Sequence, residues 1–323
     1  MTTPQKLSPI NVPSLLRRFG LSPNKRLGQN FLVDETALRQ VVDAAEIAGW
    51  EVILEVGPGL GSLTRHLAAA ARQVIAVELD EKLIPPLQEV LAPFDNVMIV
   101  HGDILHLDPA ELLSGVERSA ESGERGAESE ERGATSVERR VEISNLSRSI
   151  PAGGQSPISN YIVVANIPYY ITSALIRHLL EAKIQPQRIV LTVQKEVAMR
   201  ICAAPPNTSL LALSVQVYGK PRIAAHIPAG AFYPAPQVDS AVVRIDLFPA
   251  PLIPVPLLPT FFRLAKSGFG QKRKNLRNSL SAGMAWSKEK TEENLRASGI
   301  DPRRRAETLS LEEWGTLVTY VSQ

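Results

Sequence analysis

The sequence predicts an α/β chain: a Rossmann-like sheet followed by a small all-helical carboxy-terminal domain. Three observations carry this. The stretch Ile53-Leu54-Glu55-Val56-Gly57-Pro58-Gly59-Leu60-Gly61-Ser62-Leu63-Thr64 passes from a short apolar run through a glycine-rich turn into residues that open a helix, the first unit of a nucleotide-binding sheet. Short apolar runs recur at 74–78, 97–100, 161–165 and 189–193 with helix-period segments between them, the alternation expected of α/β folds. About the last 60 residues are helical in pattern, broken near Gly299 and Pro302.

Length and charge bound the reading. At 323 residues the chain is long enough for two domains and a large core. No apolar run approaches the roughly 20 residues that span a bilayer, and Met1 to Ile10 lacks the apolar core of a signal peptide. A single cysteine, Cys202, excludes an intrachain disulfide and a cysteine-cluster metal site. It is expected as a small buried apolar residue, and no metal is expected. A reducing, cytoplasmic setting away from membranes is the expectation. The net charge of +2 conceals an uneven distribution, because Arg263 to Arg305 holds 12 Lys/Arg against 4 Asp/Glu. A basic segment of that kind points to a polyanionic partner.

Taken in order, residues 1–20 are expected to be a loose arm with a short helix around 13–19. Asn24-Lys25-Arg26-Leu27-Gly28-Gln29-Asn30-Phe31-Leu32 then sets bases, amides and an aromatic ahead of a helix. It reads either as a surface loop whose Asp34 caps that helix, or as a segment that closes over a ligand while Lys25 and Arg26 face phosphates. From Asp34 to Ala48, Leu38, Val41, Val42 and Ala45 share a helical face. After the glycine turn a helix runs from Leu63 to about Ala71. The strand 74–78 ends in Glu78, 21 residues after Gly57, where an acid can accept from both hydroxyls of a ribose. A helix beginning at 79–82 is expected to be interrupted near Pro85-Pro86. Asp103 lies just beyond the strand 97–100, where open sheets bind ligands; it is either an exposed loop acid or an amide- or adenine-contacting one.

Residues 114–158 break the pattern. Glu-Arg recurs at 117, 124, 131 and 138, a period of seven, but the seam positions carry Ala, Gly and Ser. This segment is expected to be a solvated, largely disordered insert. Beyond it come the strand 161–165, a helix from about 173 to 182, the strand 189–193 and a helix opened by 194–196. Ser209 to Val217 is either helical or extended. A proline-rich loop at Phe232–Pro236 precedes 240–247, which alternates like a strand, and 248–259 holds five prolines and reads as a linker. The domains are therefore expected at 1–248 and 249–323.

The glycines stand at 57, 59 and 61, with Ser62 where the dinucleotide fingerprint needs its third glycine. With Glu55 before them and Glu78 beyond, the arrangement resembles the cofactor site of S-adenosylmethionine-dependent methyltransferases. Downstream, Asn166-Ile167-Pro168-Tyr169 closes a strand. The exocyclic amine of adenine is a poor nucleophile because its lone pair is delocalised into the ring. The Asn166 side-chain carbonyl and the backbone carbonyl of Ile167 or Pro168 can accept its two N–H bonds and favour a pyramidal nitrogen. Pro168 fixes the turn, and Tyr169 can stack on the purine, a contact worth roughly 1–3 kcal/mol. Phe232 either covers the opposite face of the base or packs against the sheet. Catalysis would then rest on alignment and electrostatics. A base must leave its stack to enter such a site, which an RNA loop makes inexpensive.

Five motifs now stand in order: 24–32, 55–61, 166–169, Phe232-Tyr233-Pro234-x-Pro236-x-Val238-Asp239-Ser240 and Arg273-Lys274-x-Leu276-Arg277-Asn278. With them the chain resembles the KsgA-type dimethyladenosine transferases of small-subunit ribosomal RNA, from about 14 to 322 outside the insert. The resemblance implies a Rossmann-like S-adenosylmethionine-dependent methyltransferase domain with a small helical carboxy-terminal domain. It implies dimethylation of N6 of two adjacent adenines in the 3′-terminal hairpin loop of 16S rRNA, late in 30S assembly, by a monomer. Its cofactor contacts carry onto Asn30, Leu32, Gly57, Glu78, Asp103 and Asn166, and catalysis onto Asn166, Pro168 and Tyr169. RNA would meet Tyr169, Phe232, Lys25, Arg26, Lys272, Arg273, Lys274 and Arg277. Ile167 replaces a frequent leucine, a mild departure because a backbone carbonyl acts there.

Competing readings are a DNA adenine or protein glutamine methyltransferase, whose sites commonly read Asn-Pro-Pro-Tyr, and an assembly factor that keeps the fold without turnover. A nicotinamide dehydrogenase is disfavoured by Ser62.

Overall fold

The structure, a computed structural model, describes residues 7–114, 161–168, 171–271 and 273–323. The expected insert lies outside the described residues apart from Ser114, as do Tyr169 and Lys272. The chain divides into two compact units, one of 1–195 with 224–244 and one of 196–223 with 245–323. This differs from a single cut after 248, because 196–223 packs with the carboxy-terminal helices.

Nine strands are formed: β1 (Phe31–Leu32), β2 (Val52–Val56), β3 (Gln73–Glu78), β4 (Val97–His101), β5 (Tyr161–Asn166), β6 (Arg188–Gln194), β7 (Gly219–Ile227), β8 (Phe232–Tyr233) and β9 (Ser240–Leu247) among the described residues. Seven of them make one sheet in the order β4-β3-β2-β5-β6-β9-β7. β2 pairs in parallel with β3 on one side and β5 on the other, Val56 lying opposite Val77 and Ala165. β3 continues to β4, and β5 to β6, also in parallel. The chain thus steps outward from β2 to β4, then returns to place β5 on the far side of β2. Such a reversal opens a crevice at the carboxyl ends of β2 and β5, where open sheets bind ligands.

Burial explains the strand sequences. β2, β3 and the first five residues of β5 are buried on both faces, so apart from Glu55, Gln73 and Glu78 they are apolar runs instead of alternating ones. β9 is buried over its first six residues, not on one face as its alternation suggests, because it lies inside the sheet between β6 and β7. β7 escapes a hydrophobic reading: Gly219-Lys220-Pro221-Arg222 is polar, and it forms the edge of the sheet. Only there is a residue without an N–H tolerated in a ladder.

The helices of the first unit include α1 (Val12–Arg18), α2 (Glu35–Ala45), α3 (Ser62–Ala70), α4 (Ile84–Leu91) and α5 (Thr172–Leu180), with α6 (Lys195–Ile201) starting at its edge. Asp34 caps α2, accepting from the Ala37 N–H at 2.8 Å. The prolines expected to interrupt a helix near 85 instead open one: Pro85 and Pro86 occupy the first turn of α4, where an amide hydrogen would have no partner anyway. At the far end of α2, Arg244 Nη1 on β9 donates to the Ala44 carbonyl at 3.1 Å and pairs with Glu46, placing a cation at the negative end of the helix.

The second unit holds α7 (Leu210–Gln216), α8 (Leu258–Phe269), α9 (Leu276–Met284), α10 (Lys288–Ala297) and α11 (Leu311–Val321). Segment 209–217 is therefore helical, capped by Ser209. Its place in this unit follows from main-chain ties: the Thr208 N–H donates to Glu307 O at 3.0 Å and the Leu252 N–H to Val217 O at 2.8 Å. Fully buried Trp314 forms the core here, stacked on Phe269 with ring centroids 6.3 Å apart. Cys202 is half-buried instead of buried, and burial raises its thiol pKa.

Candidate active site

The carboxyl ends of β2, β3, β4 and β5 line a cavity in the first unit, together with Phe31, Leu32 and Phe232 of the β1·β8 ribbon. Its empty volume is ≈ 1320 Å³, open solvent at the mouth included. Asn30, Leu32, Gly57, Glu78, Asp103, Asn166, Pro168 and Phe232 all line it.

The glycine turn sets the floor. Gly57, Gly59 and Gly61 have φ of 71°, 59° and 80°, a left-handed conformation that costs other residues about 1–2 kcal/mol each. At Gly59 space matters too, since a Cβ there would stand 2.9 Å from Phe31 Cδ1. The Gly57 N–H donates to Val77 O at 2.9 Å, which ties the end of β2 to β3. Gly57 also lies beside the Asn166 carbonyl, 3.9 Å from where its Cβ would be. The two turns of the crevice are thereby adjacent.

Three acids line the cavity, and no Lys or Arg does among the described residues. Glu78 is buried and held at the end of β3 by two backbone donors, Gly59 N–H on Oε2 at 2.9 Å and Asp80 N–H on Oε1 at 2.8 Å. Burial raises its pKa, and these donors oppose the rise. Asp103 accepts from Leu105 N–H at 3.0 Å on Oδ1 and lies 3.2 Å from His106 Nδ1 through Oδ2. Glu55 is 1% exposed. Burial pushes its pKa up to about 8, the Thr64 hydroxyl lowers it and the Glu78 charge raises it. Glu55 Oε2 is buried with no hydrogen-bond partner among the described residues. A buried polar atom so placed is normally satisfied, and the neighbouring Thr64 hydroxyl is the donor at hand. The donor set fits a cationic, hydroxyl-bearing nucleoside such as S-adenosylmethionine.

Asn166 closes β5. Its Nδ2 donates to the Asn30 main-chain oxygen at 3.1 Å. A carbonyl only accepts, so the NH₂ end of the amide is fixed toward β1 and the oxygen is the end left to other partners. Pro168 O accepts from Ile171 N–H at 3.2 Å, closing the turn. Phe232 is buried among Leu32, Ile227 and Ala231 and also lines the cavity. The segment 24–32 divides between surface and cavity. Lys25–Leu27 is a short 3-10 turn with Lys25 and Arg26 exposed, whereas Leu27 to Leu32 line the cavity.

Lys25, Arg26, Arg273, Lys274 and Arg277 do not line it. Arg273 and Lys274 are exposed on the second unit, and Arg277 Nε pairs with Glu292 Oε2 at 3.1 Å. Sequence reasoning missed Gln29. Its Nε2 donates to Asp80 Oδ2 at 2.8 Å, and its Oε1 accepts from Asn24 N–H at 2.8 Å. The available signal was an amide placed between exposed bases and a cavity-lining strand.

Residues 20–323 match the family described as ribosomal RNA adenine dimethylase. The chain is 40% identical over 303 residues to the ribosomal RNA small subunit methyltransferase A of Dehalococcoides mccartyi (strain CBDB1), covering 94% of this chain and 90% of the relative. It is 37% identical over 312 residues to that of Moorella thermoacetica, 96% of each chain. Among solved structures, the fold is similar to the 23S rRNA methyltransferase ErmE, with TM-score 0.64 and 24% identity over 91% of this chain and all of that one. A dimethyladenosine transferase from Plasmodium falciparum gives TM-score 0.64 and 20% identity over 89% and 95% of the two chains.

Proposed function

Because the chain belongs to the ribosomal RNA adenine dimethylase family, we propose that its cavity transfers methyl groups from S-adenosylmethionine to N6 of adenine in small-subunit ribosomal RNA. More finely, the targets are two adjacent adenines of the 3′-terminal hairpin loop, met on the assembling 30S particle by a cytoplasmic monomer. The observation that carries the reading is the Asn30 carbonyl holding the Asn166 NH₂ at 3.1 Å. It fixes the amide so that the oxygen, an acceptor, is what a ligand in the cavity meets.

Glu78, fixed by two backbone donors, is the acceptor for the ribose hydroxyls, and Asp103 the acceptor for the cofactor's adenine amine. Asn30, Leu32 and Gly57 complete that wall. The cofactor supplies an electrophilic methyl on a sulfonium centre. The Asn166 oxygen accepts one N–H of the target amine. Pro168 O already accepts from Ile171 N–H, which favours the Ile167 carbonyl for the second. Holding both hydrogens on one side localises the nitrogen lone pair on the other. Nitrogen then forms its bond to carbon as the carbon–sulfur bond breaks, its electron pair leaving with sulfur. The aminium product is acidic and gives its proton to water, so no side-chain base is required. Phe232 and Tyr169 would flank the base; Lys25, Arg26, Lys272, Arg273, Lys274 and Arg277 would meet phosphates.

The test is transfer of labelled methyl groups from S-adenosylmethionine to small subunits lacking these modifications, followed by nucleoside analysis. N6,N6-dimethyladenosine confined to the 3′-terminal hairpin is expected. Label in another RNA, or in protein, would overturn the reading.

A further inference from the structure

A second recess lies beside the cavity. It is lined by Gly20 to Lys25 on one side and by Asp80, Lys82 and Leu83 on the other. Leu83 lines both recesses, so the notch continues the cavity wall. Between them stands the Gln29 side chain, hydrogen-bonded to Asp80 and to the Asn24 main chain at 2.8 Å each. Asp80 in turn donates its N–H to Glu78 Oε1 at 2.8 Å. A continuous chain of hydrogen bonds therefore runs from the ribose acid to the 24–27 turn.

The charges of the notch differ from those of the cavity. The cavity is acidic; the notch carries Lys25 and Lys82, both exposed, with one acid, Asp80. That acid is already engaged through both oxygens, Oδ2 by Gln29 and Oδ1 by the Lys82 N–H at 3.2 Å. Two lysines thus line a recess whose one lining carboxylate is hydrogen-bonded. We propose that this notch is an RNA-binding subsite in which Lys25 and Lys82 hold a phosphodiester of the strand that presents the target adenine. The inference rests on the function proposed above and adds Lys82 to the residues that meet RNA. Gln29 is a positioning residue: it holds the notch in register with the acid that receives the cofactor ribose, so that base and phosphate arrive together.

The experiment is a titration of small subunits lacking the modification with full-length wild type, Lys82→Ala and Lys82→Arg, at several salt concentrations. Each phosphate neutralised on a single strand contributes about 0.7 to the slope of log K against log salt. Lys82→Ala is expected to lower the slope by about that amount and to weaken binding, and Lys82→Arg to retain both. S-adenosylmethionine affinity, measured by calorimetry, is expected to be the same for all three. Gln29→Leu, which keeps Lys82, is expected to raise KM for RNA while kcat holds within about twofold. Wild-type slope and affinity in Lys82→Ala, with the wild type active on the same subunits, would overturn the notch and leave the proposed function standing. Loss of S-adenosylmethionine binding in Lys82→Ala would overturn it too, by making Lys82 part of the cofactor site. Failure of wild type to methylate the subunits would instead remove the reading on which the inference rests.

Discussion

Replacing Glu55 by glutamine isolates the effect of one buried acid. The carboxyl has its pKa raised from 4.5 to about 8, chiefly by burial. Between those values the folded chain holds a proton that the unfolded chain has lost. The folded state therefore binds more protons, and stability falls as pH rises through the window. The contribution is fully present below about pH 4.5 and lost as pH passes about 8. A shift of 3.5 between those two values corresponds to about 5 kcal/mol at 1.36 kcal/mol per pH unit. Across the accessible part, from about pH 5.5 to pH 8, about 3 kcal/mol remains. Glutamine has the shape of the protonated acid and does not titrate. Urea unfolding of Glu55→Gln and wild type across this range is expected to show the variant gaining on wild type by about 3 kcal/mol toward pH 8. Parallel stability curves for the two proteins would refute the reasoning, because they would mean that Glu55 is ionised in the fold.

Other substitutions test the remaining parts of the site. Gly59→Ala places a Cβ 2.9 Å from Phe31 at φ 59°, so a loss of at least about 1–2 kcal/mol in urea unfolding is expected. Cofactor affinity measured by calorimetry should fall with it, since Gly59 N–H is a donor to Glu78. Asn166→Ala removes the amide oxygen while the cavity remains, so single-turnover methyl transfer is expected to fall by about 10²–10³. Cofactor affinity should fall by less than about tenfold; equal losses of both would assign Asn166 to the cofactor. Arg273→Ala with Lys274→Ala is expected to lower the salt dependence of RNA binding by about 0.7–0.9 log units for each phosphate no longer neutralised. An unchanged slope would place the RNA elsewhere.

Much of the sheet was legible because its strands are buried on both faces and so stand out as apolar runs, as at Val74–Val77 and Tyr161–Ala165. The cap at Asp34 was legible because capping is local chemistry. Glu78 and Asn166 could be placed because each ends such a strand. What escaped were features set by distant neighbours. β1 and β8 are two residues each, too short for any periodicity, and pair only because tertiary structure brings 31 and 233 together. Pro85-Pro86 signals a helix boundary without saying on which side the helix lies. β7 is polar because it is an edge. Segment 196–223 follows the carboxy-terminal helices through bonds such as Thr208 N–H to Glu307 O, which no local pattern announces. Gln29 gave only the weak signal of an amide within the 24–32 motif, because its role depends on Asp80, a residue of another turn.

The smallest sheet has a consequence for how the molecule is made. Phe31 pairs with Tyr233 and Leu32 with Phe232, and Phe31, Leu32 and Phe232 all line one cavity. The polypeptide leaves the ribosome amino terminus first. No nascent fragment that ends short of Phe232 can complete the wall, even after β2 to β6 have paired. Joining ends so far apart along the chain costs loop entropy that local contacts do not offset until the sheet exists. Competence to bind the methyl donor therefore arrives as a late event in synthesis, and truncated chains released earlier carry the glycine turn and Asn166 without a closed site around them.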